Sequence, residues 1–176
     1  MGTEDRRSIS FALIGHGGDG KTTLADSLLF AASVTSRLGR VDDGTSFMNW
    51  LPEEKVRRAS ISTSVCSFAH GDAEFTMLDV PGDANFAGEL RGSLAAVDNA
   101  VIVLNAGDGV KFGSERAYRY AREHGLGLAA VANKLDHERA DYDGLAKEIE
   151  ETLGVRVAKL HLPLGRGEKF EGFVNL

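Results

Sequence analysis

The stretch GHGGDGKT at 15–22 constrains this chain more than any other. It fits the spacing G-x-x-x-x-G-K-[ST] and falls between two runs of different period. Upstream, SISFALIG at 8–15 places Ile9, Phe11 and Leu13 on alternate positions, which predicts a strand. Downstream, Leu24, Leu28 and Ala31 recur at helical spacing from Lys21 onward. Strand, glycine turn and helix in that order make half of a βαβ unit. Such a turn lets backbone N–H groups wrap around phosphate oxygens, and the start of the helix adds the positive end of its dipole. Gly15, His16, Gly17, Gly18, Asp19, Gly20, Lys21, Thr22 and Thr23 are therefore the candidate phosphate-binding residues. Lys21 is expected to reach the β- and γ-phosphates, and the Thr22 hydroxyl to ligate Mg2+. A glycine turn that bound nothing would need neither the Lys nor the Thr.

The remaining pattern predicts a single α/β domain. With 176 residues and 43% hydrophobic content, the chain is long enough for one real core. Residues 34–60 show no period and read as one long loop, a length that in compact domains usually carries function. Within it, Trp50 is expected to pack the loop against the domain. Residues 61–69 and 74–79 read as strands of a hairpin turning at His70, Gly71 and Asp72. Phe86, Leu90, Leu94 and Val97 repeat at helical spacing, and AVIVLN at 100–105 is the continuous apolar run of a parallel strand buried on both faces. A helix around Ser114 to Glu123, a strand at 126–132 and a helix marked by Tyr142, Leu145, Ile149 and Leu153 follow, the last closed by Gly154. Alternating strands and helices imply a doubly wound, mostly parallel sheet with one antiparallel hairpin. The tail after Gly154 has strand-like runs and no closing helix.

Two further motifs fall at strand ends. In DVPGD at 79–83, Asp79 can hold Mg2+ through water, and Gly82 can bring its N–H to a γ-phosphate. In NKLD at 133–136, the Asp136 carboxylate can accept from guanine N1–H and the 2-amino group, which adenine does not offer. Asn133, Lys134 and Asp136 are thus the candidate base-binding residues. Either motif alone is also a plausible turn; their order and placement beside the phosphate loop set them apart.

Composition excludes several classes. A net charge of −6 gives no overall basic field, so free DNA is not an expected partner. No run approaches the roughly 20 apolar residues of a membrane span, and the start MGTEDRRSI is charged; a cytoplasmic location is expected. Gly2 fails the myristoylation pattern because Arg6 stands where Ser or Thr is wanted. Cys66 reads as a packed thiol, and the dispersed His16, His70, His124, His137 and His161 do not form a zinc pattern. Arg57 and Arg58 read as solvated charges or partner contacts, and EIEETLG at 148–154 as a solvated helix face.

With these motifs placed, the sequence resembles the translational GTPases, most closely the G domain of elongation factor G and its divergent paralogues. Beyond the nucleotide motifs, the resemblance lies in GRVDDGTSFMNW at 39–50, EEKVRRASIS at 53–62 and FAGELRGSLAAVDNAVIVLNAGDGV at 86–110. It implies a P-loop G domain at 8–154 after a tail at 1–7, with 155–176 beginning the subdomain that elongation factor G inserts. It implies GTP/GDP and Mg2+ as ligands, the ribosome as partner, a first switch loop at 34–62 with Ser60 at its Mg2+-binding hydroxyl, and a second switch at 79–82. Lys21, Gly82 and the residue at 83 would act on the γ-phosphate.

Four departures accompany the resemblance. Asp83 stands where most of the family has a catalytic His, and a carboxylate near a γ-phosphate repels charge rather than orienting water as a neutral imidazole does. Gly18 replaces a common Asp, which touches monovalent-cation assistance, and Asn49 replaces another. The chain also stops before the family's last guanine-contacting loop, final strand and helix, so it reads as a piece of a longer protein. A partitioning-type ATPase would carry Lys where His16 stands. The expectation is a GTP-binding module with slow, ribosome-dependent hydrolysis, or alternatively a GTP switch that scarcely hydrolyses because of Asp83.

Overall fold

Strand β1 (Arg7–Ile14) lies at the centre of a five-stranded sheet in the computed structural model, which describes residues 6–176. The readings made on residues 1–5 fall outside the described part. β1 pairs in parallel with β3 (Ala73–Asp79) on one side and β4 (Asn99–Asn105) on the other. β4 in turn pairs in parallel with β5 (Gly127–Asn133), while β2 (Ser64–His70) closes the far edge antiparallel to β3. The order is β2-β3-β1-β4-β5. This is the doubly wound sheet with one hairpin that the sequence predicts.

Period two along the strands sorts side chains onto two faces. Leu13, Met77 and Val103 point to one, where α1 (Lys21–Ala31) covers them with Ala25 and Leu29. Ala12, Ile14, Leu78, Ile102 and Leu104 point to the other. There α3 (Ala87–Leu94), α4 (Phe112–Glu123) and α5 (Tyr142–Leu153) supply Leu90, Leu94, Ala117, Ala121, Leu145 and Ile149. Each large side chain buried this way is worth about 1.5–3 kcal/mol. Asp141 caps α5 by accepting the Gly144 N–H at 2.9 Å, and Gly154 ends it at φ 65. Residues His161–Leu164 (β6) and Gly172–Asn175 (β7) pair antiparallel as a separate two-stranded sheet. Among the described residues, no helix is long and apolar enough to cross a membrane.

The structure corrects three expectations. The loop at 34–60 contains a helix, α2 (Pro52–Arg57), too short to show a period and burying only Glu54. β2 begins at Ser64 rather than 61, because Ile61, Ser62 and Thr63 give their N–H groups to carboxylates instead of a neighbouring strand. Trp50 is 62% exposed; Met48, at 2%, packs the loop against the domain. On α5, Glu150 and Glu151 are exposed as the sequence predicts, and the half-buried Glu148 also accepts the Val110 N–H. Arg57 and Arg58 are exposed, Arg57 with its guanidinium 6.0 Å from the Phe86 ring centroid. Cys66 is half-buried and packs with the α1-side cluster, and burial raises its thiol pKa.

Candidate functional site

The chain leaves β1 at Ile14, turns through 15–20 and enters α1 at Lys21. Gly20 adopts φ 97 at the helix start, and a Cβ there would collide with the Asn133 amide. Buried Lys21 directs Nζ at the loop's own carbonyls, 3.2 Å from Gly15 O and 2.8 Å from His16 O. Burial lowers its pKa, while the Asp79 and Asp19 carboxylates oppose that shift.

Thr22, Ser60 and Asp79 come from three different elements and meet. Thr22 Oγ1 donates to Asp79 Oδ2 at 2.7 Å, and Ser60 Oγ donates to Asn49 Oδ1 at 3.0 Å. Thr22 Oγ1 and Ser60 Oγ lie 3.0 Å apart. Either hydroxyl can donate to the other across this contact, and Ser60 Oγ also lies 3.5 Å from Asp79 Oδ2, so the three side chains share one polar point. Asp79 is buried, its Oδ1 has no hydrogen-bond partner, and burial pushes its pKa up to about 6 against the lowering effect of Thr22 and Lys21. An oxygen-lined point with an unsatisfied buried carboxylate suits a hard divalent cation such as Mg2+.

After Asp79 the chain passes close beneath the phosphate loop. A Cβ on Gly82 would meet Lys21 Nζ and fall 2.6 Å from Gly17 N, so only glycine fits. Asp83 follows, with its carboxylate accepting the Asn85 N–H at 2.9 Å to cap the 3-10 turn Ala84–Phe86.

The end of β5 grips the phosphate loop from the other side. Asn133 Nδ2 donates to Asp19 O and Lys134 Nζ to Gly18 O, both at 2.8 Å. Lys134 sits at φ 58, which turns the chain out of the strand. Asp136 is exposed beyond that turn and stands apart from these contacts, and Thr23 is exposed on α1.

Sequence reasoning missed the residues that hold the loop closed. Asp26 accepts Phe47 N at 2.9 Å. Fully buried Glu54 accepts Leu51 N, Ile61 N and Ser62 N at 3.2, 2.9 and 3.2 Å. Glu89 accepts Thr63 N at 2.8 Å. Buried Asn49, given no role by its sequence context, orients Ser60. Glu54 three residues after Leu51 and directly after Pro52-Glu53 carried a helix-start signal that could have found α2.

The family described as elongation factor Tu GTP binding domain matches residues 6–172. The chain belongs to that family. Elongation factor G 2 of Geobacter metallireducens is 34% identical over 167 residues, which is 95% of this chain and 24% of that protein. Elongation factor G of Chlamydia trachomatis is 32% identical over the same shares. A crystal structure of a Thermus thermophilus protein superposes with a TM-score of 0.89 at 38% identity, covering 95% of this chain and 25% of that one. The chain thus spans about a quarter of the length of the curated relatives it matches. In this GTP-binding domain the glycine turn at 15–20 is held by the end of β5 and runs into Thr22, which meets Asp79.

Proposed function

We propose that this GTP-binding domain binds GTP and GDP with Mg2+ and hydrolyses GTP to GDP and phosphate slowly, until the ribosome engages the protein that carries it in the cytoplasm. The observation that carries the reading is the meeting of Thr22, Ser60 and Asp79 beside Lys21. Bound there, Mg2+ would neutralise charge on the phosphates. Lys21 would turn from the loop carbonyls to the β- and γ-phosphates, the N–H groups of 15–22 would wrap the phosphate oxygens, and the Gly82 N–H would face the γ-phosphate. Asn133 and Lys134 would brace the loop while Asp136 accepts from the guanine edge. Residues 8–154 would form the G domain and 155–176 the start of an inserted subdomain. Titration calorimetry tests the binding: GTP and GDP should bind with Mg2+ and weaken on chelation, and equal affinity for ATP would defeat the reading.

A second reading is a switch with little turnover. It is favoured by Asp83, whose carboxylate is engaged in capping Asn85 and carries the wrong charge to orient water at a γ-phosphate. Single-turnover hydrolysis by the native chain and Asp83→His, with and without ribosomes, separates the two. A rise of about 100-fold in Asp83→His, the lower end for a positioned acid–base group, is the expected result. Equal rates would remove Asp83 from the argument.

A further inference from the structure

Lys111 belongs to no nucleotide motif, yet it stands against the phosphate loop. Its Nζ lies 3.0 Å from Asp19 Oδ1 and 2.7 Å from Asp108 Oδ2. The Asp19 side chain is fully buried, and its second oxygen has no hydrogen-bond partner. Two neighbours of Lys111 press on the same loop. Ser114 Oγ accepts the His16 N–H at 3.3 Å, and a Cβ on Gly113 would fall 2.6 Å from His16 Nδ1. The start of α4 is a shoulder for the loop.

Asp19 is an unexpected side chain to bury there. A phosphate loop works by offering N–H dipoles and an ammonium to a polyanion, and a carboxylate inside the same turn opposes both. It also competes with the phosphates for Lys21, on which its charge acts. A buried charge persists when it is paired, and the structure pairs this one with Lys111. Removing one member of such a pair strands the other, whereas removing both does not.

We propose that Lys111 is a positioning residue for nucleotide phosphates: it neutralises Asp19 and ties the phosphate loop to the Asn105–Asp108 turn, leaving Lys21 free for the ligand. This inference rests on the guanine-nucleotide reading above. Asp108 holds the other side of the ammonium and is itself fixed by Asn105 Nδ2 at 2.8 Å, so the cation is anchored from both directions.

The test is titration calorimetry of GTP and GDP with the native chain, Lys111→Met, Lys111→Arg, Asp19→Ala and the double variant Asp19→Ala/Lys111→Met, alongside thermal unfolding without nucleotide. Lys111→Met should weaken both nucleotides about tenfold or more, Lys111→Arg should lose less, and the double variant should recover most of the loss. A merely structural role would lower Tm in the single and double variants alike and give no such recovery. Should Lys111→Met fail to fold, Asp19→Ala decides: it removes the buried charge and should bind both nucleotides more tightly than the native chain. Native-like affinity in Lys111→Met, a double variant as weak as the single one, or weakened binding by Asp19→Ala overturns the inference. A native chain that binds neither GTP nor GDP overturns the guanine-nucleotide reading, and the inference with it.

Discussion

Asp79 is buried at a charge cost that the nucleotide-free chain does not recover. Its Oδ1 has no partner and its pKa is raised by burial, so the carboxylate is retained against the interest of stability. Asp79→Asn should therefore raise the Tm of the nucleotide-free chain while abolishing the Mg2+ dependence of GTP binding; differential scanning fluorimetry with and without chelator reads both. Under the proposed reading Asp136 meets the base, which gives a complementary test. Replacing it by Asn exchanges an acceptor for a donor, which mismatches the guanine edge and suits the 2-carbonyl of xanthine. Asp136→Asn should lose GTP by about 100-fold or more and gain xanthosine triphosphate, as measured by competition binding. Placement along the chain was legible in the sequence: the glycine turn joins β1 to α1, Asp79 ends β3 and Asn133 ends β5. Asn49, Asp26, Glu89 and Lys111 were not, because each acts on backbone or side chains far along the chain, and no local period marks such a contact.

At the scale of elements, the loop from 34 to 63 is ordered by carboxylates rather than by apolar packing alone. Met48 is its buried apolar anchor, while Glu54 gathers N–H groups from both ends of α2. Glu54→Ala would strand these donors, costing about 2–4 kcal/mol locally. Hydrogen exchange should then show lost protection at 61–63, with β1 and β4 little changed; unchanged protection at 61–63 would remove Glu54 from that role. Sequence pattern found the sheet and the four longer helices because burial imposes alternation or a continuous apolar run on strands and a period of 3.6 on helices. It missed α2 because a six-residue helix on the surface buries one charged side chain and no apolar stripe. Trp50 misled for a related reason: aromatic size favours burial only where the backbone turns inward, and here it turns inward at Met48.

For the whole molecule, ligand binding and folding are linked. Anything that binds the folded state alone adds stability by mass action, about 2.7 kcal/mol at 100 times Kd. For a domain of this size that corresponds to roughly 5–10 °C in Tm. GTP or GDP with Mg2+ should produce this shift and ATP should not. Asn133 at the end of β5 and Lys134 just beyond it hold the carbonyls of Asp19 and Gly18, so the stretch proposed to read the base also braces the turn proposed to hold the phosphates. A change there should be felt at both ends of a bound nucleotide: in competition binding, Asn133→Ala should weaken every guanine nucleotide and also lose part of the preference for the triphosphate over the bare nucleoside.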